Sequence, residues 1–240
     1  MTERPARPSV SGRPAPPAGV PFPVVWTEID VGSGRIGLFQ PESPDSLLDA
    51  MTDEQFAKDD EKMPYYALLW PSSKALAAPV LSPDVLGDDE WRGQRVLDLG
   101  CGLGLVGLAA MARGASVTFL DWEPTALRLA EASAGASGFV GARGGTFVAA
   151  DWRTPPPLEP FDRILGADVL YEHRNAPGVA AFLAAHLAPG GEAWIVDPGR
   201  RHASHFVDHL ASVGLAVVEE RDLPPRDEVK QPRLMRIALG

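Results

Sequence analysis

The stretch Val96-Leu97-Asp98-Leu99-Gly100-Cys101-Gly102-Leu103-Gly104, with the apolar run Leu105 to Met111 behind it, reads as strand, tight turn and helix. Glycines at alternate positions let the backbone turn sharply and lie against a ligand. The helix N-terminus behind them offers N–H groups with no partner inside the helix. Gly102-x-Gly104-x-x-Gly107 also satisfies a dinucleotide fingerprint, and Asp121 lies near the spacing of a ribose-binding acid. Asp98 tells against that ligand. It stands just before the turn, where a pyrophosphate would bring a second negative charge, and it suits a ligand with a cationic amino-acid end.

Downstream, strand and helix alternate. The pattern predicts strands at 95–99, 116–120, 145–149, 161–168 and 192–197, and helices at 104–113, 124–136, 175–187 and 200–213. Gly114 suits a helix stop and Pro124 a helix start. Such alternation implies a parallel sheet with right-handed crossovers and helices on both faces. The end differs. Leu215 to Asp222 and Arg233 to Leu239 flank a turn containing Pro224 and Pro225, which is expected to be an antiparallel hairpin.

Upstream, residues 1–22 are rich in Pro and poor in large apolar side chains, which predicts a disordered tail. Val24 to Ile29 and Arg35 to Phe39 flank Val31-Gly32-Ser33-Gly34 and read as a β-hairpin, and a short helical stretch starts at Pro44 and ends near Phe56. Asp53, Glu54, Asp59, Asp60 and Glu61 read as a solvated loop, or as an acidic lip that steers a cationic substrate. Residues 23–62 are thus an extension, and 63–240 the main domain. Its first element, Met63-Pro64-Tyr65-Tyr66-Ala67-Leu68-Leu69-Trp70-Pro71, places three aromatics ahead of a proline that can open a helix.

The bulk numbers exclude some classes. A net charge of −10 argues against general nucleic-acid binding. No apolar run reaches the roughly 20 residues of a membrane span, and the start lacks the apolar core of a signal peptide. Cys101 is the only cysteine, so no internal disulfide can form, which fits a cytoplasmic protein. A small residue fitting under the turn explains Cys101 better than a redox thiol. His202, His205 and His209 share a helix face, but no Cys or acidic cluster completes a metal site, so no metal is expected.

Asp98-x-Gly100-x-Gly102-x-Gly104 resembles the first motif of the class I, seven-strand S-adenosylmethionine (SAM) methyltransferases. Tyr66-Ala67-x-x-Trp70-Pro71 and Asp168-x-x-Tyr171 are similar to elements of the protein-lysine methyltransferases in that class, which include enzymes acting on the electron-transfer flavoprotein β subunit and on chaperones. The matching pieces lie within residues 63–200. The resemblance implies an α/β, Rossmann-like seven-strand methyltransferase sheet with a C-terminal antiparallel hairpin, here carrying an N-terminal β-hairpin extension. That hairpin distinguishes it from a six-strand dinucleotide domain. The implied cofactor is SAM, the product S-adenosylhomocysteine, and the partner a protein carrying the acceptor lysine.

Asp98, Gly100, Cys101, Gly102 and Gly104 are expected at the methionyl end of the cofactor. Asp121 is expected on the ribose hydroxyls, with Trp122 covering the adenine or simply packing. By resemblance, Trp70 and Ala167 lie beside the cofactor, Asp151 accepts from the adenine amino group, and Trp152 lies near the ring. Asp168 and Tyr171 mark the substrate end. An amine of pKa near 10.4 is only about 0.1% neutral at pH 7.4, and Asp168 alone would raise that pKa further. Asp168 is therefore assigned to recognition and orientation, with Tyr171, Tyr65, Tyr66 and Trp70 as an aromatic wall. No residue stands out as a general base. The competing readings are N-methylation of a small amine or heteroaromatic nitrogen, a non-catalytic SAM-binding scaffold, and a nicotinamide-dependent oxidoreductase. A monomer is expected.

Overall fold

The computed structural model describes residues 14–49, 64–82, 91–141, 144–200, 205–225, 227, 229 and 231–240. The acidic segment 53–61, the helical stretch beyond Asp49, Met63 and His202 lie outside these residues, as does the tail up to residue 13. Residues 14–21 of the expected tail are half-buried or exposed. Phe22 is buried and the Gly19 carbonyl accepts from Arg128 Nη1 at 3.0 Å. Phe22 is the first large apolar side chain after the Pro-rich run, and its burial repays the ordering.

Two strands, β1 (Val24–Asp30) and β2 (Arg35–Pro41), form the antiparallel N-terminal hairpin, followed by α1 (Pro44–Asp49). A 3-10 turn (Tyr65–Ala67) leads into α2 (Pro71–Leu81), with Pro71 in its first turn. The core then runs β3 (Arg95–Leu99), α3 (Leu105–Ala112), β4 (Ser116–Asp121), α4 (Pro124–Ala136), β5 (Thr146–Ala149), β6 (Phe161–Ala167) and α5 (Asn175–His186). It closes with β7 (Leu187–Asp197), α6 (Phe206–Ser212), β8 (Leu215–Asp222) and β9 (Arg233–Leu239).

Most boundaries in this core fall within a residue of expectation, and two of its elements differ by more. The strand expected from 192 begins at Leu187, because Leu187 pairs with Phe161 across a register shift in β6. The helix expected at 200–213 is described only from Phe206, and it ends at Ser212.

The seven-stranded sheet has the order β5-β4-β3-β6-β7-β9-β8. Strands β3 to β7 run parallel to their neighbours, and β9 lies antiparallel between β7 and β8. One face packs α2, α3, α4 and the hairpin around Leu38, Leu76, Leu108 and Leu129; the other packs α5 and α6 around Val179, Phe182 and Phe206. The strand order reverses between β3 and β6, and a ligand crevice opens beyond the carboxyl ends there.

Phe119 of β4 sits where the first of these layers meets the glycine turn. It is fully buried and stacks on Phe147 with centroids 4.9 Å apart. A methyl group at Gly107 would stand 2.3 Å from the Phe119 ring. The third fingerprint glycine therefore answers to helix–sheet packing, whatever ligand is bound. The outer strand β8 carries Glu219, Glu220, Arg221 and Asp222, with a register shift between Val217 and Glu219. Arg236 on β9 ties Glu219 to Glu192 of β7.

Candidate active site

After β3 the backbone takes positive φ at Gly100 (61°), Gly102 (49°) and Gly104 (78°). A side chain at any of these positions would be strained. The turn is pinned by Cys101 N–H to the Leu120 carbonyl at 3.1 Å and Gly104 N–H to the Cys101 carbonyl at 2.8 Å. Gly104 caps α3.

Two buried carboxylates face this turn. Asp98 is 2% exposed and its Oδ2 accepts the Gly107 N–H at 2.8 Å. Burial, opposed by that bond and reinforced by the charge of Asp121, pushes its pKa up to about 8. Asp121 accepts the Gly102 N–H on Oδ2 at 2.9 Å and the Glu123 N–H on Oδ1 at 3.0 Å. Burial raises it to about 6 against those bonds. The Cys101 thiol is pushed well up by burial and by the same two acids. A protonated, partly buried thiol is a poor nucleophile, in keeping with a packing role.

The crevice is lined by Leu69, Trp70 and Ser73 on one side and Asp98, Gly100 and Ala167 on the other. Trp70 precedes α2 in extended conformation, and its indole N–H donates to the Tyr65 carbonyl at 3.0 Å. The Tyr65 and Trp70 rings lie 6.0 Å apart. Tyr66 turns away toward α4, where burial and the charges of Glu123 and Asp121 raise its hydroxyl to about 12. Tyr66 therefore belongs to the Asp121 end, and the expected aromatic wall is divided.

Asp168 follows β6 with φ at 60°, a left-handed conformation rare for a residue with a side chain. Its N–H donates to the Val196 carbonyl at 2.9 Å, and the residue is 8% exposed. Its carboxylate is held by Arg200, with Nε on Oδ1 at 2.5 Å and Nη2 on Oδ2 at 2.9 Å. The same guanidinium lies over Trp70, 5.9 Å from the ring centroid. Arg200 is placed by Asp197, whose Oδ1 accepts the N–H groups of Gly199 and Arg200, each at 2.7 Å.

The Asp168–Arg200 pair is not legible in the sequence, because a long side chain's partner cannot be read from one segment. A signal was present, since Asp followed two residues later by Gly is an Asx turn that fixes the next residue. Glu123, also passed over, caps α4 by accepting the Thr125 N–H at 3.0 Å.

The remaining expected residues are placed as follows. Trp152 is buried beneath the turn, where a methyl group at Gly100 would stand 3.1 Å from its ring. It touches the turn from below. Trp122 is 54% exposed. Asp151 binds the Arg153 guanidinium, with Oδ1 accepting Nε at 3.0 Å and Oδ2 accepting Nη2 at 2.6 Å. That bond, opposed by partial burial, leaves its pKa lowered. Tyr171 is part-exposed at the mouth, its hydroxyl raised by burial and by Glu172. Among the described residues, no three His, Cys, Asp or Glu side chains come together as a metal site. No helix among them is long and apolar enough to cross a membrane.

Residues 96–191 match the family described as methyltransferase domain. The chain is 32% identical over 171 residues to the electron transfer flavoprotein beta subunit lysine methyltransferase of Danio rerio, covering 70% of this chain and 61% of that one. It is 31% identical over 140 residues to protein N-lysine methyltransferase METTL21A of the same fish, covering 57% and 62%. The chain thus spans about three fifths of the length of these curated relatives. In fold it resembles the magnesium protoporphyrin IX methyltransferase of Synechocystis PCC 6803 with bound SAM, at TM-score 0.58 and 17% identity over 79% of this chain and 86% of that one. With its sheet order, its glycine turn and the two acids behind it, the chain is similar to SAM-dependent methyltransferases, and the methyltransferase-domain match covers the turn and both acids.

Proposed function

We propose that this protein transfers a methyl group from SAM to a lysine side chain of a protein. The observation that carries the cofactor half is the pair of buried acids at the turn. Asp98 and Asp121 are raised to about 8 and about 6 chiefly by burial, and each is opposed only by backbone N–H groups among the described residues. A pyrophosphate there would add to this electrostatic cost. An ammonium group beside Asp98 and hydroxyl donors on Asp121 would relieve it, so these residues fit SAM and would hold its methionyl and ribose parts. Bound SAM supplies a methyl on a sulfonium sulfur, transferred by in-line displacement.

The chain's own task is positioning, which can supply roughly 7–11 kcal/mol. Leu69, Trp70 and Ala167 wall the crevice and exclude water. Asp168 offers its remaining lone pairs to an acceptor N–H and so orients the nitrogen, and Trp70 and Tyr65 flank its aliphatic stem. The lysine half rests on the relatives. Both are described as lysine methyltransferases, one acting on the electron transfer flavoprotein beta subunit.

Two measurements test this. Calorimetric titration with SAM, S-adenosylhomocysteine, NAD and NADP should give micromolar binding for the first two only; binding of NAD instead would sink the cofactor half. Tritiated SAM should label purified electron transfer flavoprotein β subunit or proteins of a cell extract, and hydrolysis should return methyl-lysine. Label found only on small amines would overturn the protein-lysine reading.

A further inference from the structure

A lysine acceptor must arrive without its proton, and among the described residues the crevice holds no evident base for it. Asp168 by itself would make this worse, since a carboxylate within about 4–6 Å favours the charged amine by one to three pKa units. The structure does not leave Asp168 by itself. Both its oxygens lie on the Arg200 guanidinium, at 2.5 and 2.9 Å. We propose, resting on the lysine reading above, that Arg200 stays bonded to Asp168 while the acceptor is bound, so that the site takes the lysine as the free amine and not as the ammonium.

Three features fit the pair for this. The Asp197 turn fixes the Arg200 backbone and the guanidinium lies over the Trp70 ring, so exchange for an incoming ammonium would break both bonds to Asp168 and the ring contact. A bidentate pair leaves each carboxylate oxygen a further lone pair, enough to accept one N–H of a neutral amine and aim its nitrogen. The pair as a whole is neutral. The charges facing Arg200 are Asp168 and Asp197, with the neutral Tyr171 hydroxyl beside them, and both acids favour its charged form. Across the mouth, Tyr171 stands with Glu172, Arg153 and Arg174, a mixed set. The proton is lost to water as the amine leaves solvent. The methylated product, once more a cation, finds the Asp168 carboxylate already paired with Arg200.

The probe is Nα-acetyl-lysine methylamide labelled with 15N at the ε position, added to the full chain saturated with S-adenosylhomocysteine. The 15N shift of the bound probe, followed from pH 7 to 11, reads its protonation state directly. In the wild-type protein the bound amine should titrate at least about one unit below its free value of about 10.4. In Arg200→Gln it should titrate about one to three units higher than in the wild type. Arg200→Lys, which keeps the charge, should stay close to wild type. In parallel, the acid limb of the rate profile should move up in Arg200→Gln, with the deficit against wild type closing at high pH.

A merely structural role would depress the Lys and Gln variants alike and move no limb. A wild-type amine that titrates at or above its free value overturns the proposal, even if Arg200→Gln does not fold. Equal titration in wild type and Arg200→Gln does so too, as does failure of the probe to bind either protein. Absence of protein labelling with the wild-type titration intact would instead count against the lysine reading alone.

Discussion

Asp98→Asn should make the free protein more stable and the cofactor bind more weakly, with both effects governed by pH. Burial raises the Asp98 pKa to about 8 in the folded protein, against about 3.9 in the unfolded chain. Between those values the folded protein keeps a proton that the unfolded chain has lost. Stability from this group is therefore intact below about pH 4 and drains away as pH rises toward 8. At 1.36 kcal/mol per unit, the loss is on the order of 4 kcal/mol at pH 7.4.

Asn removes the charge, and its Oδ1 can still accept the Gly107 N–H that Asp98 accepts at 2.8 Å. Thermal unfolding at pH 5 and pH 8 measures the effect. The variant should unfold only a few degrees above wild type at pH 5 and about 10–20 °C above it at pH 8. SAM affinity should fall at least about tenfold at pH 8, since its ammonium loses a charged partner worth roughly 1.5–3 kcal/mol. Wild-type binding near pH 7 should also release part of a proton, seen by calorimetry in buffers of differing ionisation enthalpy. A variant less stable than wild type at pH 8 would refute the reasoning about burial, and unchanged SAM affinity would refute the cofactor pose.

Other consequences can be checked more briefly. Asp121→Ala should weaken SAM binding by at least about tenfold, because it removes both the ribose acceptor and the Gly102 anchor; titration calorimetry reads this. Asp168→Asn should leave SAM affinity unchanged and lower turnover, while Asp168→Ala should also lower stability, since Ala tolerates a φ of 60° less well than Asn. Gly107→Ala should destabilise by about 1–3 kcal/mol in urea unfolding, because its methyl would meet Phe119 at 2.3 Å.

Much of this architecture was legible because it is written locally. The strand, glycine turn and helix around Asp98 follow from residues adjacent in the chain, and so does the hairpin formed by β8 and β9. Boundaries slipped where pairing decides them, as when β7 starts early because Leu187 finds Phe161. The acids at strand ends were legible for the same local reason, each being a charge where an apolar run stops. Their partners were not. Arg200 meets Asp168 from 32 residues away, and only the packed sheet brings β6 and β7 side by side. The division of the aromatic wall was also hidden, because Tyr65 and Tyr66 are neighbours whose rings leave the short turn in different directions.

The two edges of the sheet bear on how the chain behaves before it is fully folded. An outer strand exposes N–H and C=O groups that any other extended chain can pair with. Here β5 is only four residues long. At the opposite margin, β8 is kinked between Val217 and Glu219 and carries four charged residues in a row. Neither margin gives a second molecule a long, flat, uncharged rail to grow along. A parallel sheet of this kind must close distant segments and forms slowly, so its strands stay open to each other's neighbours for longer. The short rim and the charged, bent rim guard that interval against mutual templating, independently of any role in methyl transfer.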